Sequence, residues 1–129
     1  MISEKMTYSV EIKVGQNDTA KALGSGELDV LATPRMIALM EEASAKCIKA
    51  ELDDSESSVG TLIDVKHVSA TPLGLKVTAT AEVIEVDSRR VVFKVTANDE
   101  KGLIGEGRHE RFIINKEKFL SRTNQKLEK

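Results

Sequence analysis

The chain is poor in the residues that announce many function classes. Its single cysteine, Cys47, excludes an internal disulfide framework and a cysteine-based zinc site, and fits a reducing compartment. Aromatic residues are scarce, with one Tyr, three Phe and no Trp, and the formal charge of −2 arises from mixed signs without a basic block. Nucleic-acid binding through a cationic, stacking surface is therefore disfavoured. The N-terminal run MISEKMTYSV has no apolar core of signal-peptide length, and no stretch approaches the roughly 20 apolar residues of a membrane span. The expected location is the cytoplasm, with no membrane partner. There are only two histidines, His67 and His109, and no His/Cys/Asp/Glu pattern has ligand spacing, so no metal is expected.

What is present fits one soluble domain over residues 1–129, ending in a charged tail from about residue 116. TYSVEIKV alternates Tyr8, Val10, Ile12 and Val14 with polar neighbours, which predicts a strand ended by Gly15. Gln16 to Glu27 lacks periodicity and reads as a crossing loop that could act as a lid. From Thr33 to about Leu52 the pattern becomes helical, with Met36, Ile37, Met40, Ala43, Ser44, Cys47 and Ile48 on one arc. Thr33 followed by Pro34 reads as an N-cap and first helical residue. After the polar loop Asp53–Ser58 come four strand candidates, VGTLIDVKHVSA, LKVTATAEVIEV, RRVVFKVTAND and LIGEGRHERFIIN. Their separators TPLG, DS and EKG suit antiparallel hairpins, with no long crossover among them. One strand, one long helix and a four-strand antiparallel meander predict an α+β fold with the sheet wrapped around the helix, the hot-dog arrangement. So much exposed sheet edge predicts at least a homodimer.

Three residues depart from what an inert segment would carry. Glu41 falls about 100° from Met40 on the helical wheel, beside the apolar arc, whereas Glu42 points away. A carboxylate there bends out to water, pairs with a cation, or is held in a partly dry site. His67 shares a strand face with Ile63 and Val65 and is either a satisfied rim histidine or a reactive one. Thr33, as a cap, needs no further purpose, yet the helix start it opens offers unpaired N–H groups that would stabilise a carbonyl gaining negative charge. Gly60, before the His67 strand, reads as a hinge or as a point where a ligand approaches the backbone. Phosphate-binding glycine motifs, nucleophile elbows and zinc-protease signatures are all missing.

The runs LATPRMIALMEEA, SSVGTLIDVKHVSATPLGLKVTATAEV and GEGRHERFIINKEKF resemble the hot-dog acyl-CoA thioesterases related to fluoroacetyl-CoA thioesterase, over about Leu31 to Phe119. The resemblance implies that Thr33, Glu41 and His67 are catalytic and that Gly60 lies beside the substrate carbonyl. It marks His109, Glu110 and Arg111 as family signatures rather than catalytic groups. The implied reaction is hydrolysis of a small to medium acyl-CoA, with no cofactor beyond the substrate's own coenzyme A. Glu41 would attack the thioester or activate water, His67 would assist proton transfer to the thiolate, and Thr33 would orient Glu41 or the carbonyl. Gly60 and helix N–H groups would bind the oxyanion. The specialised fluoroacetyl enzymes carry lid phenylalanines before the catalytic threonine, whereas GSGELDVLAT here has none, so fluoroacetyl selectivity is not expected. The alternatives are a non-catalytic acyl-CoA or small-ligand binding module and a hot-dog hydratase or dehydratase.

Overall fold

The computed structural model describes residues 1–128. Five strands form one antiparallel sheet: β1 (Thr7–Lys13), β2 (Glu56–His67), β3 (Lys76–Asp87), β4 (Arg90–Asp99) and β5 (Gly102–Asn115). The long helix α2 (Thr33–Lys49) lies across it, after a short α1 (Ala20–Leu23) in the segment between β1 and α2. Met36, Leu39, Met40, Ala43, Ser44, Cys47 and Ile48 recur every three or four residues and are buried, which fixes the face α2 turns to the sheet. Ile37, placed on that arc by the sequence, is only half-buried, and Leu39 is buried in its stead.

The sheet answers with alternation. Val77, Ala79, Ala81 and Val83 of β3, with Val91, Phe93, Val95 and Ala97 of β4, form the inner face of the core. Gly105 of β5 lets the helix start approach closely, because a Cβ there would stand 2.5 Å from Met36 Sδ. Gly105 is also the register partner of His67, so this contact brings the first turn of α2 to the end of β2.

Strand order is β1-β3-β4-β5-β2, which corrects the expected four-strand meander. Only β3, β4 and β5 are joined by hairpins; β2 pairs with β5 at the far edge, and β1 pairs with β3. The TPLG segment is therefore part of a crossover from β2 to β3, not a hairpin turn. Its eight residues, 68–75, have ample reach for the roughly 14 Å across three strand spacings. They are held on the way by Leu31 N–H donating to Thr71 O and Gly74 N–H donating to Val14 O. β2 also begins earlier than the sequence indicates, because polar Glu56, Ser57 and Ser58 pair with Asn115, Ile114 and Ile113. Pairing partners distant in sequence impose the strand on a run that has no apolar alternation of its own.

The charged tail is ordered as helix α3 (Lys116–Asn124), capped by Asn115 Oδ1 accepting from Lys118 N–H. No helix among the described residues is long and apolar enough to cross a membrane.

Candidate active site

Thr33 and His67 meet directly. Thr33 Oγ1 lies 2.7 Å from His67 Nδ1. This hydroxyl does not cap the helix: Ala32 is the N-cap and Thr33 is the first helical residue. Pro34 accordingly takes the second helical position. The expected row of free N–H groups is also reduced, since Pro34 has none and those of Arg35 and Met36 both donate to Ala32 O. The pair lines a cleft of about 270 Å³ together with Ala20, Val30, Leu31 and Ser69. Burial lowers the His67 pKa below the ordinary imidazole value, and the nearby Ser69 backbone only partly opposes this. His67 Nε2 is itself buried without a hydrogen-bond partner.

Glu41 stands elsewhere. It is eight residues along α2 from Thr33, a rise of about 12 Å. Its carboxylate abuts Gly60: a Cβ on that glycine would stand 3.1 Å from Glu41 Oε2, 3.1 Å from His109 Cε1 and 3.6 Å from Arg111 Nη1. Gly60 thus serves close approach, and it lies inside β2 rather than before it, next to a register shift that leaves Thr61 unpaired between Gly60↔Arg111 and Leu62↔Glu110. Glu41, Gly60, Thr61, Leu62, Ile63 and His109 line a second cleft, of about 180 Å³. The Glu41 carboxylate makes no hydrogen bond or ion pair among the described residues, whereas Glu42 on the outer face pairs with Lys46 at 2.7 Å.

Behind this cleft Arg111 stands beside His109 on the same inward face of β5. Arg111, only 9% exposed, donates from Nε to Ser58 Oγ at 2.8 Å and from Nη2 to Ser58 O at 2.9 Å, with Nη1 3.2 Å from His109 Nε2. Burial disfavours its charge, and Glu41 is the carboxylate whose field supports it. Glu110, between them, points to the other face and binds Arg90 and Arg108, each at 2.9 Å. Period-two alternation on β5 was the available signal that His109 and Arg111 share a face that Glu110 leaves. What the face looks onto depends on the pairing with β2.

Within one chain, then, the sequence-predicted residues form two groups, Thr33 with His67 and Glu41 with Gly60. Thr33 does not orient Glu41 from the same chain. Neither cleft reaches the roughly 300–1,000 Å³ usual for a ligand site. No cluster of His, Cys, Asp and Glu able to hold a metal occurs among the described residues.

Comparison with known proteins gives a consistent picture. The profile of the family described as fluoroacetyl-CoA-specific thioesterase matches residues 14–117. The fluoroacetyl-CoA thioesterase of Streptantibioticus cattleyicolor is 45% identical over 98 residues, 76% of this chain and 70% of that protein. A solved structure of a mutant of the fluoroacetyl-CoA enzyme FlK in complex with acetyl-CoA superposes with a TM-score of 0.92 at 35% identity, covering 97% of this chain and 98% of the other. A Thermus thermophilus thioesterase superfamily member superposes with a TM-score of 0.92 at 29% identity, covering 99% and 95%.

Proposed function

The chain belongs to the fluoroacetyl-CoA-specific thioesterase family, and from that premise we propose how its two half-sites hydrolyse an acyl-CoA thioester to free acid and coenzyme A. The observation that carries the proposal is the Glu41 carboxylate, unpaired and pressed against the Gly60 backbone, with a buried guanidinium at its side. Glu41 acts on the thioester carbon through a water whose proton it takes, or directly, forming an anhydride that water then hydrolyses to release the acid and restore the carboxylate. The backbone at Gly60 approaches the thioester carbonyl oxygen, where developing negative charge needs a donor. The C–S bond then breaks, and the departing thiolate takes up, beside the Thr33–His67 pair, the proton that the attacking water gives up. Burial disfavours the charged form of His67, and its hydrogen bond through Nδ1 with the Thr33 hydroxyl holds the pair beside the leaving group.

The acting site is completed by a second copy of the chain. β2 is an edge strand with Leu62 43% and Ile63 38% exposed, an apolar edge that a globular protein rarely leaves open. Antiparallel pairing of β2 with its twin centred on Ile63, with the extra Thr61 of each copy left out of the ladder, sets Ser58 of one copy against His67 of the other. Ser58 is the residue that anchors Arg111, so the Thr33–His67 pair of the second copy comes to the Glu41–Gly60 cleft. The homodimer thus unites two clefts that are each too small alone. Small to medium acyl groups fit a site whose preceding segment, Gly24–Thr33, carries no phenylalanine to form an aromatic lid.

The test is thiol release from acyl-CoA substrates of graded chain length, comparing wild type with Glu41→Gln and Glu42→Gln. Loss of about 10²–10⁴-fold on the first change with none on the second supports the reading. Equal turnover in both variants overturns Glu41 as the reacting group, and absence of thiol release from every substrate favours a binding module.

A further inference from the structure

His109 has a role that its place in a family signature does not specify. It is 1% exposed in the middle of β5, stacked on Phe93 with ring centroids 6.1 Å apart. Both ring nitrogens are engaged. Nδ1 lies 2.8 Å from Leu62 O and Nε2 lies 3.2 Å from Arg111 Nη1. A guanidinium only donates, so Nε2 must present its lone pair and Nδ1 must carry the hydrogen that goes to Leu62 O. One neutral tautomer satisfies both neighbours. The charged groups around the ring are Arg111 on its own strand, Glu41 from α2 and Glu110 on the outer face; burial lowers the His109 pKa, and Arg111 adds to that.

What these two bonds hold is the Glu41 cleft itself. Leu62 is the first paired residue after the extra Thr61, on an edge strand that only β5 supports within the chain. A bulge at an edge has few restraints of its own. Arg111 Nη1 is turned by the other nitrogen toward the space above Gly60 where Glu41 Oε2 also stands. We propose that His109 is a positioning residue for thioester hydrolysis: the bond from Nε2 aims the Arg111 guanidinium beside Glu41 and carries the effect on rate, while Nδ1–H to Leu62 O steadies the ring and the β2 bulge. The inference rests on the reading of Glu41 as the reacting carboxylate. His109 itself touches no reacting atom; it acts through Arg111.

Two near-isosteres separate its two bonds. The amide nitrogen of Asn reproduces Nδ1 and keeps the bond to Leu62, and the amide oxygen of Gln reproduces Nε2 and keeps the acceptor for Arg111. The measurement is kcat and KM for thiol release, with the thermal midpoint, for His109→Asn, His109→Gln and Glu41→Gln. We expect His109→Asn to lower kcat by about tenfold or more with KM nearly unchanged, as a misplacement near the reacting groups does. His109→Gln should stay within about threefold of wild type at a thermal midpoint equal to that of His109→Asn. Equal kcat in the Asn and Gln variants, or losses that follow the thermal midpoint alone, overturn the proposal. If Glu41→Gln abolishes turnover while His109→Asn keeps it, the His109 role fails and the Glu41 reading stands; if Glu41→Gln keeps turnover, the Glu41 reading fails first.

Discussion

If each site takes Glu41 from one chain and Thr33 with His67 from the other, two inactive variants can rebuild a working site between them. The perturbation is co-expression of Glu41→Gln with His67→Ala, each chain carrying a different affinity tag. In the heterodimer one site has both lesions, while the other combines an intact Glu41 with an intact Thr33–His67 pair. Tandem purification selects heterodimers, which should show about half the wild-type rate per dimer. A simple equimolar mixture allowed to exchange should reach about a quarter, since about half the dimers are mixed and each has one good site. The basis is the separation of the two groups, about 12 Å along α2 within one chain, together with the open β2 edge between them. Thr33→Ala mixed with His67→Ala is the control, because both lesions lie on the same half-site and no mixed dimer can restore it. The assay is thiol release. A tandem-purified heterodimer no more active than its parents refutes the shared site, and restoration in the control pair refutes the grouping of Thr33 with His67.

Other consequences are open to direct measurement. Gly60→Ala places a methyl 3.1 Å from both Glu41 Oε2 and His109 Cε1, so turnover should fall by about 10²-fold while circular dichroism shows a folded protein. Gly107→Ala is the contrast: its Cβ would stand 2.1 Å from Asp64 backbone O, and chemical denaturation should show a loss of about 1–3 kcal/mol or failure to fold. Thr33→Ala removes a hydroxyl that bonds His67 and caps nothing, so stability should change by less than the ~1 kcal/mol of a lost cap while activity drops. A loss of a full cap's worth of stability would restore the capping role. Stability should also decline in acid. His67 and His109 both have folded pKa values below the unfolded value of about 6.5. Below that value the unfolded chain binds more protons than the folded one, so their contribution is present above about 6.5 and is lost as pH falls through the lowered folded values. A denaturation midpoint that is flat or rises on acidification below 6.5 would contradict the burial of neutral imidazoles.

Local pattern determined a good part of this protein. The 3.6-residue rhythm from Met36 to Ile48 and the two-residue rhythm from Val77 to Val83 depend only on neighbours along the chain, so they were legible as α2 and the inner face of β3. Thr33, Glu41, Gly60 and His67 were singled out from side chains uncommon in such settings and from the family resemblance. Strand order depended on which distant segments satisfy each other's backbone. That choice sent β2 to the far edge beside β5, drew polar Glu56–Ser58 into the sheet and made Thr71–Gly74 part of a crossover. It also decided which side chains meet. His109 and Arg111 reach Glu41 only because β5 lies against Gly60, while Thr33 finds His67 because Gly105 admits the first turn of α2. Periodicity tells which face a residue takes, but the partner across that face is set by pairing and close packing over the whole chain, and there the chemistry of this site was decided.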